Sequence, residues 1–258
     1  MVNRLTPARF CHIATDSLPR TIHERPLGLS LPINDMGWSK GELDAAESSL
    51  VLSSLSADLD TIGRFATACQ GSHLLCHVLT HRSAHKAALP SQDDTILLDE
   101  ALQLHRTLAA LDERLPLDNA QEANIEALSL VCCARMILYG LYGCNEPDVR
   151  SSQERLRREI EMQRASVQGV MDLAAHRVPR LAQVIIELLS AGPPASRGRD
   201  ISLTVAHCLY NAATECAWFI REGCGPEMNA GLTVIVSALD QLRMSWAVSG
   251  EDRIRSYT

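Results

Sequence analysis

The apolar residues of this chain recur at steps of three and four along most of its length, but only after a first segment that lacks the pattern. Residues 1–40 contain Pro7, Pro19, Pro26 and Pro32 with little periodicity, and read as an extended N-terminal arm or linker whose end is pinned by Trp38. From about Leu50 the pattern changes. Ile62, Phe65, Ala66, Cys69, His73 and Cys76 mark one helix face, which predicts a helix running to about Arg82. After Pro90, the series Leu97, Ala101, Leu104, Leu108, Leu111 and Leu115 predicts a second helix, ended by Pro116.

Asn119 and Glu122 have capping-box spacing, ahead of a third helix that runs towards Gly143 with Ile125, Leu128, Val131, Cys132 and Leu138 on its buried side. Ser151 and Glu154 form a second such box before the charged stretch Arg155 to Arg164, which reads as a solvated face, and Pro179 kinks or splits this element. Gly192, Pro193 and Pro194 make a loop, Asp200 caps the next helix, and Gly223 ends it. Pro226 suits the first turn of a last helix carrying Leu232, Ile235, Ala238, Leu239, Leu242 and Trp246 and stopping near Gly250. No strand pattern competes, and no segment repeats another. The prediction is an all-α, irregular multi-helix bundle with long helices: an arm over 1–40 and a helical domain over 41–258.

Composition narrows the function classes. A formal charge of -7 disfavours a phosphate-tracking surface, because such affinity comes mainly from Lys and Arg displacing counterions. Three Trp, four Tyr and three Phe are too few to build base-stacking platforms. Residues 1–25 hold no apolar run of signal-peptide length, and no later uninterrupted apolar run reaches bilayer-spanning length, so an intracellular protein is expected. Of the nine Cys, those within apolar helical patterns, such as Cys69, Cys132, Cys208 and Cys216, read as core thiols.

The candidates for chemistry are few. His73, His77, His81 and His85 stand at four-residue steps, and adjacent pairs at that spacing can share a metal. Each step rotates roughly 40° around the helix, so all four cannot meet at one ion, and the expectation is no metal and a partly exposed histidine stripe. Cys132 and Cys133 point about 100° apart on a helix and do not easily close a disulfide. Cys144 and Cys224, both beside glycines, are the better candidates for exposed thiols. Glu159 with Glu161 and Asp93 with Asp94 read as solvated surface. Trp218-Phe219-Ile220-Arg221-Glu222 reads as closing the core. The sequence contains no Gly-x-Ser-x-Gly elbow, no phosphate-binding glycine loop and no Cys-x-x-Cys pair. No catalytic residue and no cofactor is assigned, and the chain is not expected to be an enzyme.

Several segments, in their order, resemble the fungal-specific transcription factor domain, the middle homology region of fungal zinc-cluster transcription factors. Leu31-Pro32-Ile33-Asn34-Asp35 with Trp38 resembles the family's entry motif, and Ala68 to Leu75 with Val78-Leu79-Thr80-His81 its first core helix. Glu100 to Leu108 resembles its second helix, and Cys132 to Cys144 with Leu138-Tyr139 its third. The closest likeness is Ile201-Ser202 with His207 to Ala213 and Trp218 to Glu222, and Leu239 to Gly250 resembles the closing helix.

The resemblance spans roughly Pro26 to Arg253. It implies an all-helical, nuclear regulatory domain that controls transcription through a small apolar ligand or partner proteins, with no DNA binding of its own. An effector pocket would draw on the faces of the segments from His207 to Glu222 and from Leu232 to Trp246. The given sequence holds neither the zinc cluster nor the coiled-coil segment that usually follows it. An alternative is therefore a stand-alone interaction protein that inhibits a full-length regulator, and a further one is a small-molecule-binding enzyme on the same framework.

Overall fold

The computed structural model describes residues 30–31, 50–51, 63–87, 95–117, 123–143, 153–191 and 201–255, with side chains from 63 to 245. This part is 91 % helical, which makes the fold all-α. Its helices are α1 (Arg64–Ala87), α2 (Thr95–Glu113), α3 (Ile125–Tyr142), α4 (Gln153–Asp172), a π-helical turn (Leu173–Arg177), α5 (Val178–Ala191), α6 (Leu203–Arg221) and α7 (Pro226–Arg255). One β pairing is described: Ser30–Leu31 (β1) runs antiparallel to Leu50–Val51 (β2), with Ser30 opposite Val51 and Leu31 opposite Leu50. Sequence periodicity predicts no strand here, because alternation needs four or more residues to register.

The chain divides into two compact units, each discontinuous in sequence: Met1–Arg114 with Ala134–Gly169, and Leu115–Cys133 with Val170–Thr258. Helix α3 therefore gives its first half to the second unit and its second half to the first. In the first unit α1 packs on α2. The ion pairs Arg158–Asp99 and Arg106–Glu161 tie α2 to α4. The α1 face turned inward carries Ala66, Gln70, Leu74, Leu75, Val78 and His81. This corrects the predicted face: Phe65 is 60 % exposed, and Cys69, His73 and Cys76 are only half-buried. The buried stripe lies one position on, and α1 runs five residues beyond Arg82. On α2 the predicted face holds, with Leu98 and Leu102 added and Leu97 half-buried.

The second unit is organised around Pro179. A proline ring clashes with the carbonyl four residues before it and offers no N–H, so an ordinary helix cannot pass through unchanged. Here the turn just before it widens to π-helical, and the Val178 N–H bonds to the Leu173 carbonyl. The helix continues through α5 rather than breaking. Widening also leaves the Ala174 carbonyl open to a new donor, the Cys216 thiol of α6, at 3.3 Å. Arg177 reaches the Leu115 carbonyl at 2.6 Å. Helix α7 crosses the same turn at Gly231, where a Cβ would stand 2.9 Å from the Ala174 oxygen and 3.0 Å from the Pro179 ring.

The helix ends are specific. Gly223 adopts φ +84, which glycine reaches without strain, and ends α6 as expected. The Cys224 N–H then bonds to the Phe219 carbonyl at 2.9 Å and the Gly223 N–H to the Ile220 carbonyl at 3.1 Å, a Schellman closure. Asn124 caps α3, its side chain accepting from the Ala127 N–H at 3.2 Å. Asn119, Glu122, Ser151, Gly192, Pro193, Pro194 and Asp200, predicted as caps or loop, lie outside the described residues. Ser202, not Asp200, is the N-cap residue of α6. Pro226 does begin α7, but that helix passes Gly250 and runs to Arg255.

By length and composition α3 could cross a membrane. Its apolar run escapes a count of uninterrupted apolar residues because Ser129 and Arg135 interrupt it. Since 78 % of it is buried inside the protein, it is read as the core helix.

Gly231→Ala raises intrinsic helix propensity by about 1 kcal/mol, but its methyl meets backbone oxygen, which cannot swing away as a side chain does. The expected net result in urea unfolding is a loss of about 1–3 kcal/mol. Gly225→Ala, where a Cβ meets nothing within 4 Å, is the control and should stay within about 0.5 kcal/mol of wild type.

Candidate functional site

The polar residues of the first unit converge on the second half of α3. Helix α3 is buried on all sides from Ala127 to Tyr139, so each polar group there needs a partner inside the protein. His81 of α1, fully buried, bonds through Nε2 to the Tyr142 hydroxyl and through Nδ1 to Glu100 of α2, both at 2.8 Å. Glu100 is half exposed, so the relay runs from a surface carboxylate to a buried phenol. His85 lies edge-on to the Tyr142 ring, with centroids 5.2 Å apart.

Two turns earlier on α3, Arg135 donates through Nε to the Tyr139 hydroxyl at 3.1 Å and pairs with Asp112 of α2. The Tyr139 oxygen accepts that bond, so its own O–H is left to donate to Nδ1 of His105, 2.8 Å away. This order requires a neutral His105. Burial, then the charges of Arg135 and Arg106, push its pKa below the ordinary imidazole value, with Glu161 opposing. The Tyr139 ring lies on α4 at Gly169, where a Cβ would stand 2.3 Å from it.

The histidine stripe is thus divided. His81 is core and fully bonded, while His73 and His77 face each other with Nε2 atoms 3.1 Å apart. Among the described residues no three His, Cys, Asp or Glu side chains are grouped to hold a metal ion.

The thiols belong largely to the second unit. Cys132, Cys133 and Cys208 are fully buried, and both α3 thiols hydrogen-bond to Cys208, which together with burial pushes its pKa well up. Burial raises Cys216 to about 11. Cys208 and Cys216 are thus held as protonated packing thiols. Cys69, expected in the core, is half-buried, and so is Cys224. Cys144, Asp93 and Asp94 lie outside the described residues. Glu159 and Glu161 hold Arg155 and Arg106, but Glu159, expected in solvent, is only 18 % exposed. In the Trp218–Glu222 segment, Phe219 is buried with Trp218 edge-on to it, while Arg221 and Glu222 are exposed.

The second unit also exposes several large apolar side chains. Leu203 and Tyr210, two turns apart on α6, are 75 % and 54 % exposed, and Val236 and Met244 stand out from α7. The inner faces of these helices, at Cys208, Leu209, Ala212, Ile235, Ala238 and Leu242, are consumed by packing. In the first unit an open groove of about 470 Å³ runs along α4, lined by Gln153, Leu156, Arg157, Ile160, Glu161 and Arg164. That groove lies on α4, not on the α6 and α7 segments from which an effector pocket was expected.

The buried relays escaped sequence reasoning. One signal was legible: Arg135, Tyr139 and Tyr142 interrupt an otherwise apolar helix at one-turn spacing, and a charge inside such a run calls for a buried partner.

Two predictions follow the relays. His81→Leu removes a partner from the buried Tyr142 hydroxyl and should cost about 1–3 kcal/mol in denaturant unfolding. The double variant His81→Leu/Tyr142→Phe should lose less than the two single losses summed. A histidine whose folded pKa lies below its unfolded one binds its proton more tightly when unfolded. Stability is then full above about 6.5 and falls as pH drops through that value towards the folded pKa. His73, His105 and His207 all share this direction, burial being the leading cause at each. Unfolding at pH 7.5 and 5.5 should show the loss, and His105→Gln should reduce it.

No family model, curated protein or solved structure matches this chain.

Proposed function

We propose that this chain is a regulatory domain that controls transcription by binding partner proteins through exposed helix faces, without a DNA-binding module of its own. The observation that supports this most is the pairing of a fixed interior with large apolar side chains left exposed on helix faces. The buried imidazoles, phenols and thiols bond to one another, while Leu203 and Tyr210 leave an apolar stripe on α6 open to solvent. Large apolar side chains at i and i+7 are the pattern by which one helix offers a face to another protein.

The resemblance to the fungal regulatory domain supports the same reading. Ala68–Leu75 and Val78–His81 fall together on α1, Glu100–Leu108 on α2, and His207–Ala213 with Trp218–Arg221 on α6. The apolar α4 groove, with Arg157 and Arg164 beside Leu156 and Ile160, is a place for a small amphipathic ligand.

The test is a reporter assay in which the chain is fused to an unrelated DNA-binding module in a fungal cell. Reporter output should differ from that of the module alone. Leu203→Asp/Tyr210→Asp should abolish the difference while leaving the melting temperature within a few degrees, since both side chains are exposed. Output equal to that of the module alone would count against the proposal.

A further inference from the structure

We propose that His73 and His77 form a two-imidazole site for a divalent transition metal of the zinc or copper class. This goes beyond the regulatory reading and does not depend on it. The Nε2 atoms of the two rings approach to 3.1 Å, with ring centroids 4.4 Å apart and planes at 86°. Imidazole nitrogen binds Zn²⁺ at about 2.0–2.1 Å, so two of them on one ion, at angles of roughly 90–110°, stand about 2.9–3.4 Å apart. The observed separation lies within that bite.

Several features favour an ion over a lone hydrogen bond. Without a metal, the contact needs the two rings in opposite tautomers, one donating and one accepting. With a metal, both present the same lone pair, and small ring rotations suffice. Both residues lie on a continuous helix, so the backbone is already arranged for binding. His77 is exposed and His73 half-buried, which leaves an approach path for the ion.

His81 does not compete, because both its ring nitrogens are engaged by Glu100 and Tyr142. With no third protein ligand grouped there among the described residues, water or a donor from a bound molecule completes the coordination.

Zn²⁺ and Cu²⁺ are titrated separately into tag-free protein in a non-chelating buffer. One ion per chain should bind saturably and raise the melting temperature by roughly 2–4 °C. Electron paramagnetic resonance of the Cu²⁺ form should show two imidazole nitrogens. His77→Ala, at an exposed position, should weaken binding on the order of 100-fold by removing one of two linked ligands. His85→Ala should bind as wild type does. Failure of wild type to bind either ion, unchanged affinity in His77→Ala, or equal losses in His77→Ala and His85→Ala would overturn the proposal.

Discussion

A helix enclosed on all sides has no water to satisfy its side chains, and the first unit is arranged around that constraint as α3 imposes it. In the half of α3 that belongs to the second unit, Ser129 meets the same constraint locally, donating to the Ile125 carbonyl at 2.6 Å. Arg135, Tyr139 and Tyr142 cannot, and each draws a polar residue from another helix: Asp112 and His105 from α2, His81 from α1. The registers of α1 and α2 against α3 are fixed by these pairings as much as by apolar packing. A helix slid by one residue would leave a buried donor or acceptor unmet, at a cost of about 1–3 kcal/mol each. That explains why the buried face of α1 includes His81, and in the register this fixes Phe65 is left in solvent.

In the second unit a backbone irregularity takes the corresponding role. The widened turn before Pro179 exposes the Ala174 carbonyl to the Cys216 thiol and lets α7 approach at Gly231. A proline in mid-helix, a cysteine and a glycine on separate helices are therefore one packing arrangement. The first half of α3 contributes two thiols to a third on α6, small side chains that let helices come close and find partners in one another.

How much of this was legible in the sequence depends on the type of signal. The helices were, because periodicity averages over many residues. The predicted α2 face held since its leucines leave one stripe open. On α1 two adjacent stripes compete: one contains Phe65 and Cys69, apolar by type, and the one that is buried is built on Gln70, Gly71 and His81. Only the partners Glu100 and Tyr142, 19 and 61 residues away, make His81 a core residue, and no local window holds both. Gly250 misled for a related reason. A glycine near a helix end suggests a stop, but it ends a helix only where the chain needs positive φ, as at Gly223 and not within α7.

The same division bears on function. Chemistry at a side chain requires an atom free to meet a substrate, and the residues best equipped for it here have spent their reactive atoms on one another. Nδ1 and Nε2 of His81 are both bonded, the Tyr139 oxygen lies between Arg135 and His105, and the thiols of Cys208 and Cys216 are held protonated. Such an interior resists rearrangement, because moving one member strands the next. Among the described residues, the helix exteriors offer other molecules the apolar residues of α6 and α7, the α4 groove, and the imidazoles one turn apart on α1. An interior whose members are bonded to one another holds the helices that carry these surfaces in register. That division between a bonded interior and open helix faces is the physical basis of the proposal that this chain regulates by binding.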